Sequence, residues 1–573
     1  MYIDLVPNRN SPPAILLREG FREGQKVHKR TLANISHWPP EKIESLRRVL
    51  KGERLVSAEE EFTIERTRPH GHVAAVLGTL RKIGLEEIIF SRRVRERDLV
   101  VAMMAARILD PCSKLATARG LGGESLFSTL GECLGVESAD EDELYEAMDW
   151  LVGRQESIEK KLVKRHLGEK SLVLYDVTST YFEGRTCPLA KLGPPGDGPR
   201  DRLQIQIGLV GHAEGCPVAV EVFAGNLGDP KTFSLQVQKM RERFGFERLV
   251  WVGDRGMITE ARIKKDLQPI EGLDWITSLR APTIRKLVTS GVLQLSLFDE
   301  KDLGEISSPE FPGERLIVCR NPYLAKERGR KRAEMLEATE GELDKIVNAT
   351  ERHKRRLGGK DRIGLRVGKV FNHYKMQKHF TITITEDSFR YTRNEESICA
   401  EAALDGIYVI RTSVGRDRMA AGDAVRAYKN LSVIERAFRC MKTVDLKVRP
   451  IHHRKEERVR SHVLLCMLAY YVEWHMRKAL APMLFDDEDK QLAEQLRESV
   501  VARAERSPRA DKKARTKRTE NGDPVHSFPT LLEDLRTVAK NLVKFHRVSF
   551  DKITTPTPLQ QRALALLGVS LRI

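Results

Sequence analysis

Asp176, Asp254 and Glu435 are acids set at the edges of apolar segments. Asp176 closes the run LVLYD, Asp254 closes LVWVGD ahead of Arg255 and Gly256, and Glu435 lies within YKNLSVIERAFRCMK. Mg²⁺ prefers oxygen ligands and keeps several waters, so two or three carboxylates plus a phosphate suffice to hold it. Two such ions roughly 3.5–4 Å apart can activate the attacking oxygen of a phosphodiester displacement and stabilise the leaving one. Singly, an acid at a strand end is most often a turn or cap residue, and one on a helix is most often solvated. Only the three together point to phosphoryl transfer.

Bringing them together is the work of three elements. Residues 171–178 and 248–256 are short apolar runs that close on an acid and a turn signal, which predicts buried strands ending at Asp176 and Asp254. The third segment predicts one helix, with Leu431, Ile434, Phe438 and Met441 on its apolar face. Tyr428, Glu435 and Lys442 are each seven residues apart and line a stripe beside that face, with Arg439 one turn after Glu435. Packed on a sheet, such a helix holds Glu435 near the strand ends and turns Lys442 and Arg439 toward phosphates.

These blocks resemble the DDE transposases of bacterial insertion sequences, within the group marked by Tyr, Arg, Glu and Lys on the last catalytic helix. The likeness rests on YDVTSTYFEG around Asp176, VGDRGM around Asp254, and the helix of Tyr428, Glu435 and Lys442. It extends to AGNLGDPKTF at 224–233 and FRCMKTVDLKVRPIHHRKEERVRSHVLLCMLAYY at 438–471, and covers roughly residues 95–475. The signature's Arg falls at Leu431, so that residue's phosphate contact does not carry over directly, and Lys429, Arg436 and Arg439 are the candidates for a substitute charge.

The resemblance implies an α/β chain with a ribonuclease H-like mixed-sheet core, in which Asp176, Asp254 and Glu435 ligate two Mg²⁺ or Mn²⁺ ions. Tyr428, Lys442, Arg439, Thr178 and Arg255 would contact DNA phosphates. The implied activity is binding of terminal inverted repeats, metal-dependent strand cleavage, and transfer of the freed 3′ hydroxyl to target DNA. The partners are double-stranded DNA and a second copy of the chain in the synaptic complex, with no nucleotide cofactor, since the P-loop pattern GxxxxGK[ST] is absent. Some relatives free their element through a hairpin end and hold an extruded base on a tryptophan of the insertion domain. Here the tryptophans are at 38, 150, 251, 275 and 474, which leaves Phe371, Tyr374, Phe380 or Tyr391 as stacking partners. Two other readings stay open: a ribonuclease H-like nuclease that cuts without joining, and a non-catalytic DNA-binding protein descended from a transposase.

Composition agrees. A formal charge of +17 favours a polyanionic partner, and 573 residues suffice for two to four domains. The eight cysteines form no CxxC pair or zinc-ligand spacing and read as reduced thiols, and His452 and His453 have no ligand partner at metal spacing. MYIDLVPNRN turns polar at once, unlike a cleavable signal. The longest apolar stretch, 463–472, falls short of a membrane span of ~20 residues and predicts a core helix. The expected location is the cytoplasm, at the nucleoid when DNA is bound.

Along the chain, residues 1–36 predict a β-hairpin and 40–168 a mainly helical, DNA-binding-sized domain. Within the latter, RDLVVAMMAARI, the Asp110-Pro111 break and SKLATARGL have the dimensions of a helix-turn-helix, a pattern also common in plain helical bundles. The catalytic core is expected over 169–280 and 420–475, with a Gly/Pro-rich loop at 183–201 predicted to be mobile beside the first acid. Asp229-Pro230 reads as a helix cap and first-turn proline. Residues 281–419 are expected to form a β-rich and helical insertion, because so long a gap cannot be one structureless loop. The remainder, 476–573, predicts a helical region with a flexible basic stretch at 503–518, which has eight basic and two acidic residues.

Overall fold

A computed structural model of the chain describes all residues except 10, 54–61, 125–126, 169–170, 194–201, 299–300, 498, 503–504 and 546–547. The second half of the Gly/Pro-rich loop and the start of the basic stretch therefore lie outside the described residues. The chain divides into two compact units, Met1–Arg68 with Ala539–Thr555, and Pro69–Val538 with Pro556–Ile573.

The first unit opens with β1 (Tyr2–Val6), β2 (Ala14–Glu23) and β3 (Lys26–Asn34), an antiparallel sheet in that order. This is three strands rather than the single hairpin expected over 1–36. The second turn is tight because Gly24 takes φ +62°, a conformation that costs glycine little. Helix Pro40–Leu50 and strand β4 (Phe62–Pro69) follow.

The second unit begins with helices, among them Gly71–Lys82, Arg95–Leu109, Lys114–Leu121, Glu141–Val152 and Gln155–His166. The chain then enters β5 (Leu172–Tyr181), β6 (Gln204–His212), β7 (Pro217–Ala224), β8 (Leu249–Val252) and β9 (Leu273–Ser278). Strands β5, β6 and β7 form an antiparallel meander, whereas β8 and β9 run parallel to β5 on its other side. The order β7-β6-β5-β8-β9 is the ribonuclease H-like arrangement. Eight of nine β6 residues are buried, as expected for a strand covered on both faces. Helices Leu431–Arg439 and Asp229–Glu242 pack against β5, and Gln155–His166 and Glu456–Leu480 against β7.

The sheet does not stop at β9. Strands β10 (Leu303–Ile306) and β11 (Arg315–Arg320) continue it, and β14 (Ile407–Thr412) lies between β11 and β9 to give eight strands in all. Both ends of the segment 281–419 thus extend the core sheet. What stands apart from it are helices Pro322–Glu351, Lys360–Tyr374 and Glu395–Ala402 with the hairpin β12 (Phe380–Ile384) and β13 (Phe389–Arg393). That portion has its own apolar core, including Leu336, Leu343, Ile346, Ile363, Phe371 and Phe389. The alternation in GIYVIRT predicts a strand, but its neighbour β9 lies 132 residues earlier, Ile410 opposite Ser278, and no local pattern encodes that pairing.

Glu456–Leu480 is a buried helix that contains the whole 463–472 run. The basic stretch is a second departure from expectation. Pro508–Thr516 is a helix capped by Ser507, and Lys513 is buried, donating to the carbonyls of Ala481 at 2.8 Å and Asp486 at 3.1 Å. These buried hydrogen bonds order a segment whose composition alone predicts flexibility. Residues Ala539–Phe545 and Val548–Ile553 form β15 and β16, in a sheet ordered β16-β15-β4, where the sequence predicts helix. No helix among the described residues is long and apolar enough to cross a membrane.

Candidate active site

Asp176 lies inside β5, which runs on to Tyr181, and not at the strand end expected for it. Its neighbour β8 ends first: the last paired residues are Leu174 and Val252, and Asp254 follows two residues later in the turn. Asp176 is therefore edge-exposed on one side while still paired with Leu209 of β6 on the other. Asp254 is held by its own turn, since Oδ1 accepts hydrogen bonds from the backbone N–H groups of Gly256 (3.0 Å) and Met257 (2.8 Å).

The Glu435 element is less regular than one continuous helix. Helix Ala421–Lys429 stops at Asn430, Leu431–Arg439 follows, and residues Cys440–Val444 form a π-turn that carries Lys442. Ile434, Ala437 and Phe438 are buried while Glu435 and Arg439 are exposed, so the amphipathic face is as the sequence predicts. Seating on the sheet depends on missing side chains: a Cβ at Gly211 of β6 would lie 2.4 Å from Ile434 Cδ1, and one at Gly215 would lie 2.9 Å from Val433 Cγ2. Leu209 and Gly211 share a face of β6, which puts Asp176 beneath this helix. On the opposite face Tyr175 packs with Phe233 and Trp251.

Electrostatics ties the acids together. Burial, and then the negative charges of Asp254, Glu435 and Asp229, push the Asp176 carboxyl up to about 7. Mutual repulsion of this kind is what a site built for cations shows without them, and an all-carboxylate donor set fits Mg²⁺ or Mn²⁺. Asp229, the first residue of helix Asp229–Glu242, is itself raised by burial and by Asp254. Its Asp-Pro pair predicts a helix cap. Gly228 occupies the cap position instead, and the Asp-Pro signal hid an acid facing the site.

The expected phosphate contacts divide. Lys442 Nζ donates to Thr178 Oγ1 and, at 2.5 Å, to the Ser179 carbonyl, which pins the π-turn to β5 two residues past Asp176. Tyr428 and Ser278 share a hydrogen bond of 2.8 Å between their hydroxyls, and burial raises the phenol further above its usual range. Arg255 is exposed beside Asp254, where it lines a cavity of about 390 Å³ with Arg280, a basic residue that no sequence motif marks. Of the stand-ins for the signature's Arg, Lys429 donates to the carbonyls of Val500, Val501 and Ala502 at 2.7–2.8 Å, and Arg436 pairs with Asp486 at 2.5 Å. Arg439 remains exposed, and Leu431 is part of the core.

The aromatic candidates are mostly committed elsewhere. Phe371 and Phe380 are buried with ring centroids 6.0 Å apart, and the Tyr391 hydroxyl donates to Asp344 at 2.5 Å. Stacking a base on Phe371 or Phe380 would require opening the small core they fill. Tyr374 keeps part of its ring exposed, against His373 at 4.6 Å.

A family model described as Transposase DDE domain matches residues 168–472, and one described as IS1634 family transposase, N-terminal domain, matches residues 3–62. No curated protein matches the chain. A solved piggyBac transposase synaptic complex with hairpin DNA is similar over 81% of this chain and 76% of that chain, with 10% identity and a TM-score of 0.33. The DDE-domain match spans more than half of the chain and encloses Asp176, Asp254 and Glu435, and on that ground this chain belongs to the DDE transposases of insertion sequences, enzymes of polynucleotidyl transfer.

Proposed function

We propose that this transposase binds the terminal inverted repeats of its element, hydrolyses a DNA strand there, and joins the freed 3′ hydroxyl to target DNA by a cut-and-paste route. The observation that carries this reading is the convergence of carboxylates from β5, the turn after β8 and the Glu435 helix, close enough for two of them to raise the third. Asp176, Asp254 and Glu435 are the residues that would hold two Mg²⁺ or Mn²⁺ ions, with Asp229 at the margin. Bound there, such ions supply Lewis acidity to the attacking and leaving oxygens. The chain's own part is positional. Lys442, fastened to Thr178 and Ser179, keeps a cation beside the strand that carries Asp176, and Tyr428, Arg439, Arg255 and Arg280 surround the acids with phosphate donors.

Cleavage adds water across one phosphodiester and leaves a 3′ hydroxyl and a 5′ phosphate. Joining then exchanges a target phosphodiester for a new one and releases a target 3′ hydroxyl, so no nucleoside triphosphate enters the balance. A second protomer is proposed for the synaptic complex, because two element ends must be joined in one event. Incubating the full chain with Mg²⁺, a labelled terminal-repeat duplex and a plasmid target tests this reading: joined products are expected, and cleavage without joining would favour a nuclease. For second-strand release through a hairpin, Tyr374 is the remaining stacking candidate. Denaturing gels of excised ends should show strands of double length, and their absence would rule that route out.

A further inference from the structure

The segment after the catalytic π-turn, KVRPIHHRKEER, closes a second basic cavity outside the acid site. It has a volume of about 480 Å³ and is lined by seven Lys and Arg residues, with no Asp or Glu among the lining residues. Its floor comes from the Asp110-Pro111 break in the helical region. Lys114, only 5% exposed, and Arg107, 7% exposed, face it from beneath. Arg107 is held by the carbonyls of Lys447 (3.4 Å) and Cys112 (3.3 Å), and Arg458 by Asp149 at 3.1 Å. Lys114 differs: among the described residues its ammonium has no hydrogen-bond or ion-pair partner. Burial, then the nearby Arg107, lowers it to about 8.

A buried cation without a counter-charge is costly, and an anion entering the cavity would offset that cost. The rim places that anion near the chemistry. The backbone N–H groups of Glu183 and Gly184, just past the end of β5, donate to the Ile451 carbonyl at 3.1 and 3.2 Å, and Arg449 lies over the Tyr181 ring at 5.3 Å. Tyr181 is five residues beyond Asp176 on the same strand, about 17 Å at a strand's rise per residue. At 3.4 Å per base step that is roughly five nucleotides of one DNA strand.

We infer that this cavity, built on Lys114, Arg107 and Arg449, is a binding site for a backbone phosphate of the bound DNA, a few nucleotides from the bond that is cut. The inference rests on the DNA-binding reading above, and its test separates the two. Duplex binding by the full chain is measured against salt for the parent, Lys114→Met and Lys114→Arg, using a 40-base-pair duplex, together with thermal unfolding with and without inorganic phosphate. Lys114→Met is expected to bind about tenfold more weakly, as loss of a charged hydrogen bond implies. Its log-log salt slope should be shallower by about 0.9, the share of one phosphate. Lys114→Arg should restore both. Without DNA, Lys114→Met should melt at least as high as the parent, because a buried unpaired charge has been removed; a purely structural lysine would instead lower the melting temperature. A parent that fails to bind duplex at all refutes the DNA reading itself. A parent that binds while Lys114→Met keeps its affinity and slope overturns the phosphate site. Stabilisation of the parent by inorganic phosphate, with DNA affinity unchanged in Lys114→Met, assigns the cavity to a free anion and likewise overturns it.

Discussion

At the scale of single residues, the proposed metal ligands can be tested apart from DNA binding. Asp176→Ala, Asp254→Ala and Glu435→Ala should each drop cleavage of a terminal-repeat duplex to background while duplex affinity stays within a few-fold, since phosphate contacts elsewhere persist. A variant that cuts at near the parental rate in Mg²⁺ would remove that residue from the site. The raised Asp176 pKa adds a test by stability. The folded chain holds this proton up to about pH 7, whereas the unfolded chain releases it near the ordinary aspartate value of 3.8. Between those values the folded state binds more protons, so stability falls as pH rises, and the loss is complete above pH 7. Metal-free Asp176→Asn should therefore melt a few degrees above the parent at pH 8, with the gap closing toward pH 4. Mg²⁺ should stabilise the parent more at pH 8 than at pH 5, because it competes with the proton.

At the scale of elements, the position of Glu435 depends on two glycines beneath its helix. Gly211→Ala would set a methyl 2.4 Å from the buried Ile434 Cδ1. Overpacking of this kind typically costs about 1–3 kcal/mol and shifts the helix rather than unfolding the sheet. Ligand geometry tolerates only about 0.5 Å of error, so cleavage should fall at least tenfold while DNA affinity holds. Ile434→Val removes the offending Cδ1, and the double variant Gly211→Ala with Ile434→Val should recover most of the activity. If the double variant is no faster than Gly211→Ala alone, the contact is not what positions Glu435.

At the scale of the whole molecule, the net charge of +17 should make duplex affinity fall steeply with salt, each phosphate contact adding about −0.9 to the log-log slope. The basic stretch contributes differently from what its composition suggests. Lys513 is buried on backbone carbonyls and Arg509 is paired with Glu520, so deleting 503–518 would remove structure as well as charge. Lys512, Arg515 and Arg518 are exposed, and the contacts of Arg515 with Asp511 and of Arg518 with the Gly522 carbonyl, both at 3.2 Å, lie at the surface, where such pairs add little to stability. Their joint replacement by Gln should flatten the salt slope with the melting temperature unchanged, whereas Lys513→Gln should lower the melting temperature. An unchanged slope in the triple variant would take this helix out of the DNA interface.

The chain's residues by themselves determined what is local or periodic: the apolar runs that become β5 and β8, and the amphipathic face of the Glu435 helix. The three acids were legible for the same reason, since each sits at a fixed offset from such a pattern. Tertiary structure decided whatever depends on residues far apart in sequence. Asp176 lies mid-strand and is uncovered only because β8 stops short. Asp229, read as a cap, comes near the acids only because its helix packs on β5. β14 pairs with β9 across the whole insertion, and Lys429, Arg436 and Lys513, alike in sequence to phosphate-binding cations, are bound by protein carbonyls and a carboxylate. A side chain's charge is written in its residue type, but whether that charge meets backbone, acid or DNA is settled only when distant segments are folded against it.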